Sequence, residues 1–264
     1  LRRTNGAYLR VMVRTERIDS RYLQRRDRNP YGALFDADPP FELAVPGGNL
    51  TPLATLKEYT QVYAFHGGAN GYGPLLQLIE GTLQLPAAEI VAALQTSLKV
   101  ESFLTYVAAM ALIQNHDHIK KNYYLYADDS GPDCRWEILP WDLDLSFGHL
   151  WTEKDGILSE ELQTSGDPTV GVNVGHLFYN QLIDRVLAHP PWLVQYKSRL
   201  AALLKVFDSA FVQNRIAALR CHVTLDLLAD RNTRGNIGEL ESRYAELLQY
   251  VVARREFLTK WLAK

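Results

Sequence analysis

The fold is decided by residues 117–144, which read DHIKKNYYLYADDSGPDCRWEILPWDLD. Two β-rich runs, Asn122 to Ala127 and Arg135 to Leu139, are joined by the turn-forming residues DDSGPD at 128–133. This pattern predicts a β-hairpin. Four polar side chains flank this hairpin: Asp117, Asn122, Asp142 and Asp144. We therefore expect a hairpin that gathers one amide and three carboxylates around its ends.

The order of these polar residues is that of a phosphoryl-transfer site. Such a site needs a carboxylate facing the acceptor hydroxyl, and an amide and a further carboxylate that hold Mg²⁺ on the nucleotide. The spacing of Asp117 and Asn122 alone arises by chance about once in every two chains of this length, so its setting before a hairpin carries the interpretation. The alternative gives all four residues local roles, as turn caps or as the solvent face of a strand end.

Size and composition exclude several classes of protein. The chain has 264 residues, a formal net charge of −2 and a pI of about 6.4, so it shows no general basic field for nucleic acid or an anionic membrane. It contains no run of about eighteen apolar residues, and we expect no membrane span. Cys134 and Cys221 are too few for a disulfide scaffold, and we expect two free thiols.

The residues before the hairpin predict short elements and then one long helix. A strand is predicted at Gly6 to Arg14, followed by a helix at Ile18 to Gln24 that is capped by Asp19 or Ser20. An irregular loop is predicted at Asp27 to Pro52, with a brief strand at Ala33 to Phe35. Next come a helix at Pro52 to Tyr63, a glycine-rich connector at His66 to Gly73 and a helix at Leu75 to Leu83. The run Leu98 to Gln114 is apolar nearly all round, which predicts a buried central helix leading to Asp117.

The residues after the hairpin predict mainly helices. A loop is expected at Trp151 to Asn173, and His189-Pro190-Pro191 marks a break between helices. The predicted helices are Gly175 to Ala188, Pro191 to Ala202, Asp208 to Leu228 and Ile237 to Leu262. Helix therefore dominates the second half of the chain.

Several stretches of the sequence resemble the spore coat protein H (CotH) kinase family. They are NYYLY at 122–126, Trp136 and PWDLDLSFG at 140–148, with further similarity at 5–8, 16–19 and 250–262. The resemblance covers nearly the whole chain and implies a single protein-kinase-like α+β domain over residues 1–264. Residues 1–18 would be a short β remnant of the small lobe and the hinge. Residues 19–264 would be a mainly helical large lobe with a catalytic-loop β-hairpin.

The resemblance also implies roles for the residues around the hairpin. Asp117 would be the catalytic carboxylate and Asn122 a Mg²⁺ ligand. Asp142 would bridge the metal and the phosphates, with Asp144 as a second ligand or its support. Which of these two carboxylates is the principal ligand stays open, although Asp142 is nearer the strand end. The expected cofactors are ATP and Mg²⁺.

The hinge and the segment before it form the second part of the resemblance. Glu16 and Ile18 would lie behind the adenine as nucleotide-binding residues. A kinase also needs a small-lobe Lys on the phosphates, and only about fifteen residues precede the hinge here. We therefore expect that Lys upstream of Leu1, and little or no kinase activity from the isolated 264 residues. Where the family often reads Leu-Tyr-Lys, this chain has Leu34-Phe35-Asp36, an acid in place of a basic residue.

The expected activity is ATP- and Mg²⁺-dependent phosphoryl transfer to Ser, Thr or Tyr hydroxyls of proteins. Coat or surface proteins would be the substrates, no nucleic acid would bind, and family analogy suggests the spore coat, the cell surface or secretion. The main alternative is a non-catalytic, pseudokinase-like surface or coat protein with a structural or adhesive role, which Asp36 favours. Two further alternatives are another phosphoryl or nucleotidyl transfer on the same scaffold and a hydrolytic metal site that uses His116 and His118.

Overall fold

The computed structural model describes seven stretches of the chain. They are residues 15–38, 47–115, 117–131, 134–149, 162–169, 179–229 and 237–264. Within them the protein is a mixed α+β fold, as predicted, with a four-stranded antiparallel sheet and a larger helical part. The strand predicted at Gly6 to Arg14 lies outside the described residues, as do most of the predicted small-lobe remnant and most of the loop predicted at Trp151 to Asn173.

The sheet has the spatial strand order β2-β1-β3-β4. The strands are β1 Ala33–Ala37, β2 Tyr63–Gly67, β3 Tyr123–Ala127 and β4 Glu137–Pro140. β3 and β4 form the predicted hairpin, and β1 confirms and extends the brief strand predicted there. The prediction was wrong at β2, where we expected a helix end and a connector. These residues pair with β1, and the Phe65 ring lies 5.3 Å from the Phe35 ring.

The two faces of the sheet are covered by different parts of the chain. On the inner face, Phe35 and Leu125 are fully buried in the main hydrophobic core. On the outer face, Leu34 and Tyr126 pack with Ile18 in a smaller cluster. Because successive side chains of a strand point to opposite faces, the inner strands β1 and β3 are buried on both sides.

Nine α-helices accompany the sheet within the described stretches. They are α1 Ser20–Gln24, α2 Leu56–Val62, α3 Gly73–Leu76, α4 Ala87–Ser97, α5 Val100–Ile113, α6 Gln181–Leu187, α7 Pro190–Val206, α8 Ser209–Ala229 and α9 Ile237–Leu262. Asp19 caps α1, as predicted, by accepting the N–H groups of Arg21 and Tyr22. No described helix meets the length and hydropathy that a membrane span requires.

The helix predictions failed at one place in the first half of the chain. α4 was not predicted, and the helix expected at Leu75 to Leu83 begins as α3 and then changes geometry. It continues as a π-helical turn at Gln77–Gly81 and a 3₁₀ turn at Thr82–Gln84. Residue periodicity does not distinguish these tighter and wider turns from an α-helix over so few residues.

The predicted free thiols are confirmed, since Cys134 and Cys221 are unpaired.

α5 is the central helix, as predicted. Eight of its side chains are buried: Phe103, Leu104, Tyr106, Val107, Ala108, Met110, Ala111 and Leu112. α5 packs against α7 on one side and against β4 on another. This double packing fixes the direction in which α5 ends, and therefore the place where the following loop begins.

A group of three charged residues around a buried carboxylate ties the start of α5 to the sheet. The carboxylate of Glu137, in β4, accepts hydrogen bonds from Lys99 and from Arg28, whose Nη2 lies 2.7 Å from Oε2. Burial alone would raise the pKa of Glu137, but the hydrogen bonds from Arg28 and Lys99 outweigh it and lower the pKa. Glu137 is thus an ionised carboxylate with two cationic partners.

Candidate functional site

The loop that carries Asp117 starts at the carboxyl end of α5, where every helix carbonyl finds a donor. The last four carbonyls of a helix have no N–H partner further along that helix. Here the Met110 carbonyl accepts hydrogen bonds from the N–H groups of Gln114 and Asn115, and the Ile113 carbonyl accepts one from the Phe147 N–H. The Ala111 carbonyl accepts from the Arg254 guanidinium, and the Leu112 carbonyl accepts from the Tyr250 hydroxyl. Donors from α9 and from the segment after β4 therefore fix this end of α5.

Asn115 connects the two sides of the site. Its side chain is buried, its Oδ1 accepts the N–H of His118 at 3.1 Å, and its Nδ2 donates to Ser146 Oγ at 3.1 Å. His118 belongs to a 3₁₀ turn that begins at Asp117, whereas Ser146 follows Asp144 on the other side of the hairpin. One amide side chain thus joins the turn that carries Asp117 to the segment that carries the other two carboxylates.

Asp117 and Asn122 are in direct contact, as a shared site requires. Asn122 Nδ2 donates to Asp117 Oδ2 at 3.2 Å, and Lys121 Nζ lies 3.5 Å from the same oxygen. Burial raises the pKa of the Asp117 carboxyl, the Lys121 ammonium opposes this rise, and the charge of Asp144 adds to it. Asp117 is therefore a half-buried carboxylate that is more basic than one in water.

The end of the sheet brings Asp142 to the same place. The Asn122 N–H donates to the Ala37 carbonyl at 2.8 Å, and the Trp141 N–H donates to the Asn122 carbonyl at 3.2 Å. Asn122 is thereby held between the last residue of β1 and the residue after β4, next to Asp142. Both Asp142 and Asp144 are exposed.

Like charges meet at this end of the sheet. Burial raises the pKa of the Asp142 carboxyl, the negative charges of Asp144, Asp117 and Asp38 raise it further, and Lys121 opposes them. The carboxylates come from three segments: the end of β1, the turn after α5 and the stretch after β4. The structure therefore gathers the four residues that the sequence singled out, together with Asp38.

The backbone around the site adopts conformations that L-residues rarely take. Positive φ angles occur at Gln114, Asn122, Asp142 and Phe147, which are four of the six such non-glycine residues in the described stretches. Asn and Asp tolerate the left-handed region, whereas Gln and Phe are strained there. Strain of this kind persists where the surrounding contacts determine the backbone, and it concentrates at functional sites.

The two residues predicted at the hinge have different surroundings. Glu16 is exposed and its carboxylate pairs with Arg25 and Arg26 beside α1. Ile18 is buried on the outer face of the sheet, in the cluster that also contains Trp141. Among the described residues, no hydrogen bond or ion pair joins Glu16 or Ile18 to the carboxylates at the end of the sheet. Their role in nucleotide binding stays a prediction.

The donor atoms at the site suit a nucleotide-bound Mg²⁺ better than a dedicated metal centre. Within the described stretches, no group of three or more His, Cys, Asp or Glu side chains is arranged to hold a metal ion. Mg²⁺ usually takes one or two carboxylates and completes its shell with waters and substrate phosphates. The Asn122 amide and the Asp142 carboxylate fit that requirement.

The histidine-based metal site receives little support from the part of the chain that the structure describes. His118 is buried, and its ring meets the Tyr106 ring edge-on at 5.5 Å. His116 lies outside the described residues. The His118 ring therefore packs against α5, beneath the turn that carries Asp117.

Besides Asp38, three residues of the site were not predicted from the sequence. Lys121 could have been found, because it stands four residues after Asp117 and that spacing brings side chains together on a helical turn. Nothing in the sequence around Asn115 indicates that its side chain joins the two sides of the site. Arg254 was noted only as part of the closing helix, and its contact with α5 depends on how α9 packs.

Comparison with known proteins gives two findings. Residues 3–258 match the sequence profile of a family described as CotH kinase protein. The chain is also similar to Inner spore coat protein H of Bacillus subtilis (strain 168), with 22% identity over 266 residues. That alignment covers 98% of this chain and 67% of the relative.

Proposed function

This chain belongs to the CotH kinase protein family, and from that membership and the site we propose that the full-length protein transfers the γ-phosphoryl group of ATP to a protein hydroxyl. The observation that carries the proposal is the contact of Asp117 with Asn122 at the end of the sheet where Asp142 and Asp144 also lie. This is the set of groups, in the order along the chain, that phosphoryl transfer uses.

Asp117 would act on the acceptor hydroxyl. In the proposed step the hydroxyl oxygen forms a bond to the γ-phosphorus while the bond from that phosphorus to the β–γ bridging oxygen breaks, and ADP leaves. The proton of the hydroxyl passes to the Asp117 carboxylate. Its raised pKa favours this transfer, because burial makes the carboxylate a better proton acceptor.

Asn122 and Asp142 would hold Mg²⁺, with Asp144 as a second ligand or a support. Bound Mg²⁺ would supply neutralisation of the charge on the phosphates. The backbone bonds of Asn122 to Ala37 and Trp141 fix the position of the amide before any ligand binds. The exposed carboxylates of Asp142 and Asp144 repel each other and Asp117, and a divalent cation relieves that repulsion.

The similarity to a protein named as an inner spore coat protein suggests where this protein works. We propose that it is associated with the spore coat or another surface layer and that its substrates are coat or surface proteins. The acceptor would then be a Ser, Thr or Tyr hydroxyl on such a protein.

A second candidate function is a non-catalytic, kinase-like coat protein, and Asp36 favours it. Asp36 stands in β1 where the family often has a Lys, and His66 Nε2 lies 3.7 Å from its Oδ2. Burial raises the pKa of the Asp36 carboxyl, against a hydrogen bond from Tyr124 that lowers it. An acid at this position does not attract nucleotide phosphates as a Lys would.

The decisive experiment compares wild type with Asp117→Ala in the full-length protein, incubated with ATP, Mg²⁺ and coat proteins and read by product mass. Loss of a positioned base should lower the rate by about 10² to 10⁴. Glu89→Ala, which removes an exposed carboxylate from α4, should leave the rate unchanged.

A binding measurement separates the two candidate functions. MgATP at about 100 times its dissociation constant should add about 2.7 kcal/mol to the free energy of unfolding of a protein that binds it. Equal phosphorylation by wild type and Asp117→Ala would remove Asp117 from the mechanism. No stabilisation of the wild-type protein by MgATP would favour the non-catalytic coat protein.

A further inference from the structure

Residues 162–169 lie outside the helices and strands, and α9 holds them from behind. The guanidinium of Arg254 donates to the Thr164 carbonyl at 3.1 Å and to the Gly166 carbonyl at 2.5 Å. Arg254 is itself fully buried. Two carbonyls of this segment are therefore bound to a fixed support.

The carbonyls that the protein holds belong to alternate residues of the segment. The next in the series, that of Pro168, accepts a hydrogen bond from the hydroxyl of Tyr196, in α7. The side chains between them, those of Gln163, Ser165 and Asp167, are exposed. This alternation is that of an extended chain with one edge towards the protein and the other towards solvent.

The outer edge of the segment has main-chain groups without a partner. Among the described residues, none forms a hydrogen bond with the main-chain N–H or C=O of Ser165 or Asp167. An unpaired edge of extended main chain is a template on which another chain can pair. The segment thus presents donors and acceptors to solvent while its inner edge is held.

The segment runs beside the turn that carries Asp117. Gly166 packs so closely on the end of α5 that a Cβ atom there would lie 2.7 Å from Gln114 Nε2. Asp167 and His118 line the same small cavity, and His118 directly follows Asp117 in the chain. A peptide paired with the outer edge would therefore lie next to the candidate base.

We propose that the outer edge of residues 163–167 binds an extended segment of the acceptor protein and so brings its hydroxyl to Asp117. This inference rests on the proposed phosphoryl transfer. Extended peptides bind other proteins by adding a strand to an exposed edge, and main-chain hydrogen bonds then supply the affinity. The acceptor is recognised mainly by its extended main chain, so many sequences around the hydroxyl are accepted.

The support behind the segment favours this kind of binding. Its start is fixed by the Gln163 N–H, which donates to the Gly148 carbonyl at 2.9 Å. Its end is fixed by the Asp167 carboxylate, which accepts the Thr169 N–H at 2.8 Å. A surface that is ordered before binding avoids much of the entropic cost of association.

The first test measures steady-state kinetics of the full-length protein with saturating MgATP. The acceptor is dephosphorylated casein, a disordered protein that contains many Ser and Thr residues. Ser165→Pro removes one N–H from the outer edge and should raise the KM for casein about two- to tenfold, the value of one main-chain hydrogen bond. The kcat and the Kd for MgATP should stay at the wild-type values.

Ser165→Ala is the matched control. It removes the side-chain hydroxyl of Ser165 and keeps the main-chain N–H, so the KM for casein should not change. The melting temperature of each variant reports whether it is folded.

The second test uses the wild-type protein and does not depend on the folding of any variant. Casein should slow amide hydrogen exchange in the fragment that covers residues 162–169, because pairing protects main-chain N–H groups. MgATP alone should not have this effect.

The outcomes distinguish this inference from the function on which it rests. If Ser165→Pro folds and has the wild-type KM, or if casein leaves exchange of the segment unchanged, the edge does not bind the acceptor, and phosphoryl transfer stands. If the wild-type protein phosphorylates coat proteins but not casein, it recognises side chains and the inference is wrong. If it phosphorylates neither, the proposed phosphoryl transfer fails first. A raised KM in Ser165→Pro alone, together with slower exchange, supports the inference.

Discussion

The two ends of strand β4 carry carboxylates that their surroundings treat in opposite ways. At its start, Glu137 is buried between Lys99 and Arg28, and their hydrogen bonds lower its pKa. Beyond its end, Asp142 and Asp144 are exposed. The pKa of Asp142 is nevertheless raised, because its carboxyl loses part of its solvation and lies near other acids. Glu137 therefore has two cationic partners, whereas Asp142 lies among like charges that Lys121 only partly offsets.

This difference indicates which part of the site is complete before ligands bind. Hydrogen bonds to other parts of the protein hold Asp117 and Asn122 in place. The side formed by Asp142 and Asp144 keeps unrelieved repulsion, which a bound Mg²⁺ would remove. We infer that the base side is preformed and that the metal side is completed by the nucleotide and its cation.

The largest effect is expected at the structural end of β4. Glu137→Gln should lower the free energy of unfolding by about 2 kcal/mol, less than for a fully buried pair because Lys99 and Arg28 are partly exposed. Urea unfolding at neutral pH measures this. Glu256→Gln, which breaks the exposed pair with Lys260, is the control and should cost less than about 0.5 kcal/mol. Equal costs would remove the distinction between the two ends.

A smaller effect, on binding rather than on folding, is expected at the other end. Asp142→Asn should weaken Mg²⁺-dependent ATP binding about tenfold or more, since even loss of an outer-shell partner of a metal ligand costs about 10- to 100-fold. Stability at neutral pH should not fall, because the substitution removes repulsion from Asp117 and Asp144. Asp144→Asn in the same titration identifies the principal ligand by the larger loss. If neither variant changes the affinity, the metal does not bind here.

The smallest effect is the pH dependence of stability, which should have opposite signs at the two ends. The folded-state pKa of Glu137 is lowered, so its stabilisation is present above the ordinary glutamate pKa and is lost as the pH falls through the lower folded-state pKa. Glu137→Gln and wild type should therefore converge in acid. The pKa of Asp142 is raised, so Asp142→Asn should match wild type in acid and exceed it at neutral pH.

Urea unfolding of the three proteins from neutral pH down to about pH 3 tests this sign difference. If both variants diverge from wild type in the same direction as the pH rises, the two carboxylates do not experience opposite environments.

Much of the site was predictable because its residues are close in sequence. The hairpin places Asn122 and Trp141 at one end through local pairing, and β-rich runs with a turn signal identify such pairing reliably. β2 was missed because its pairing with β1 is not local. The contact of Arg254 with Ala111 spans 143 positions, and no pattern within either segment indicates it.

The hydrogen bonds that satisfy the last carbonyls of α5 affect the order in which parts of the protein can fold during synthesis. Two of the donors that satisfy its last carbonyls, Tyr250 and Arg254, belong to α9. When the ribosome has made the hairpin, the end of α5 still exposes carbonyls that only water can satisfy. The loop that carries Asp117 acquires its final support after the last helix has emerged, so a chain interrupted before α9 would contain every predicted site residue without the framework that positions them.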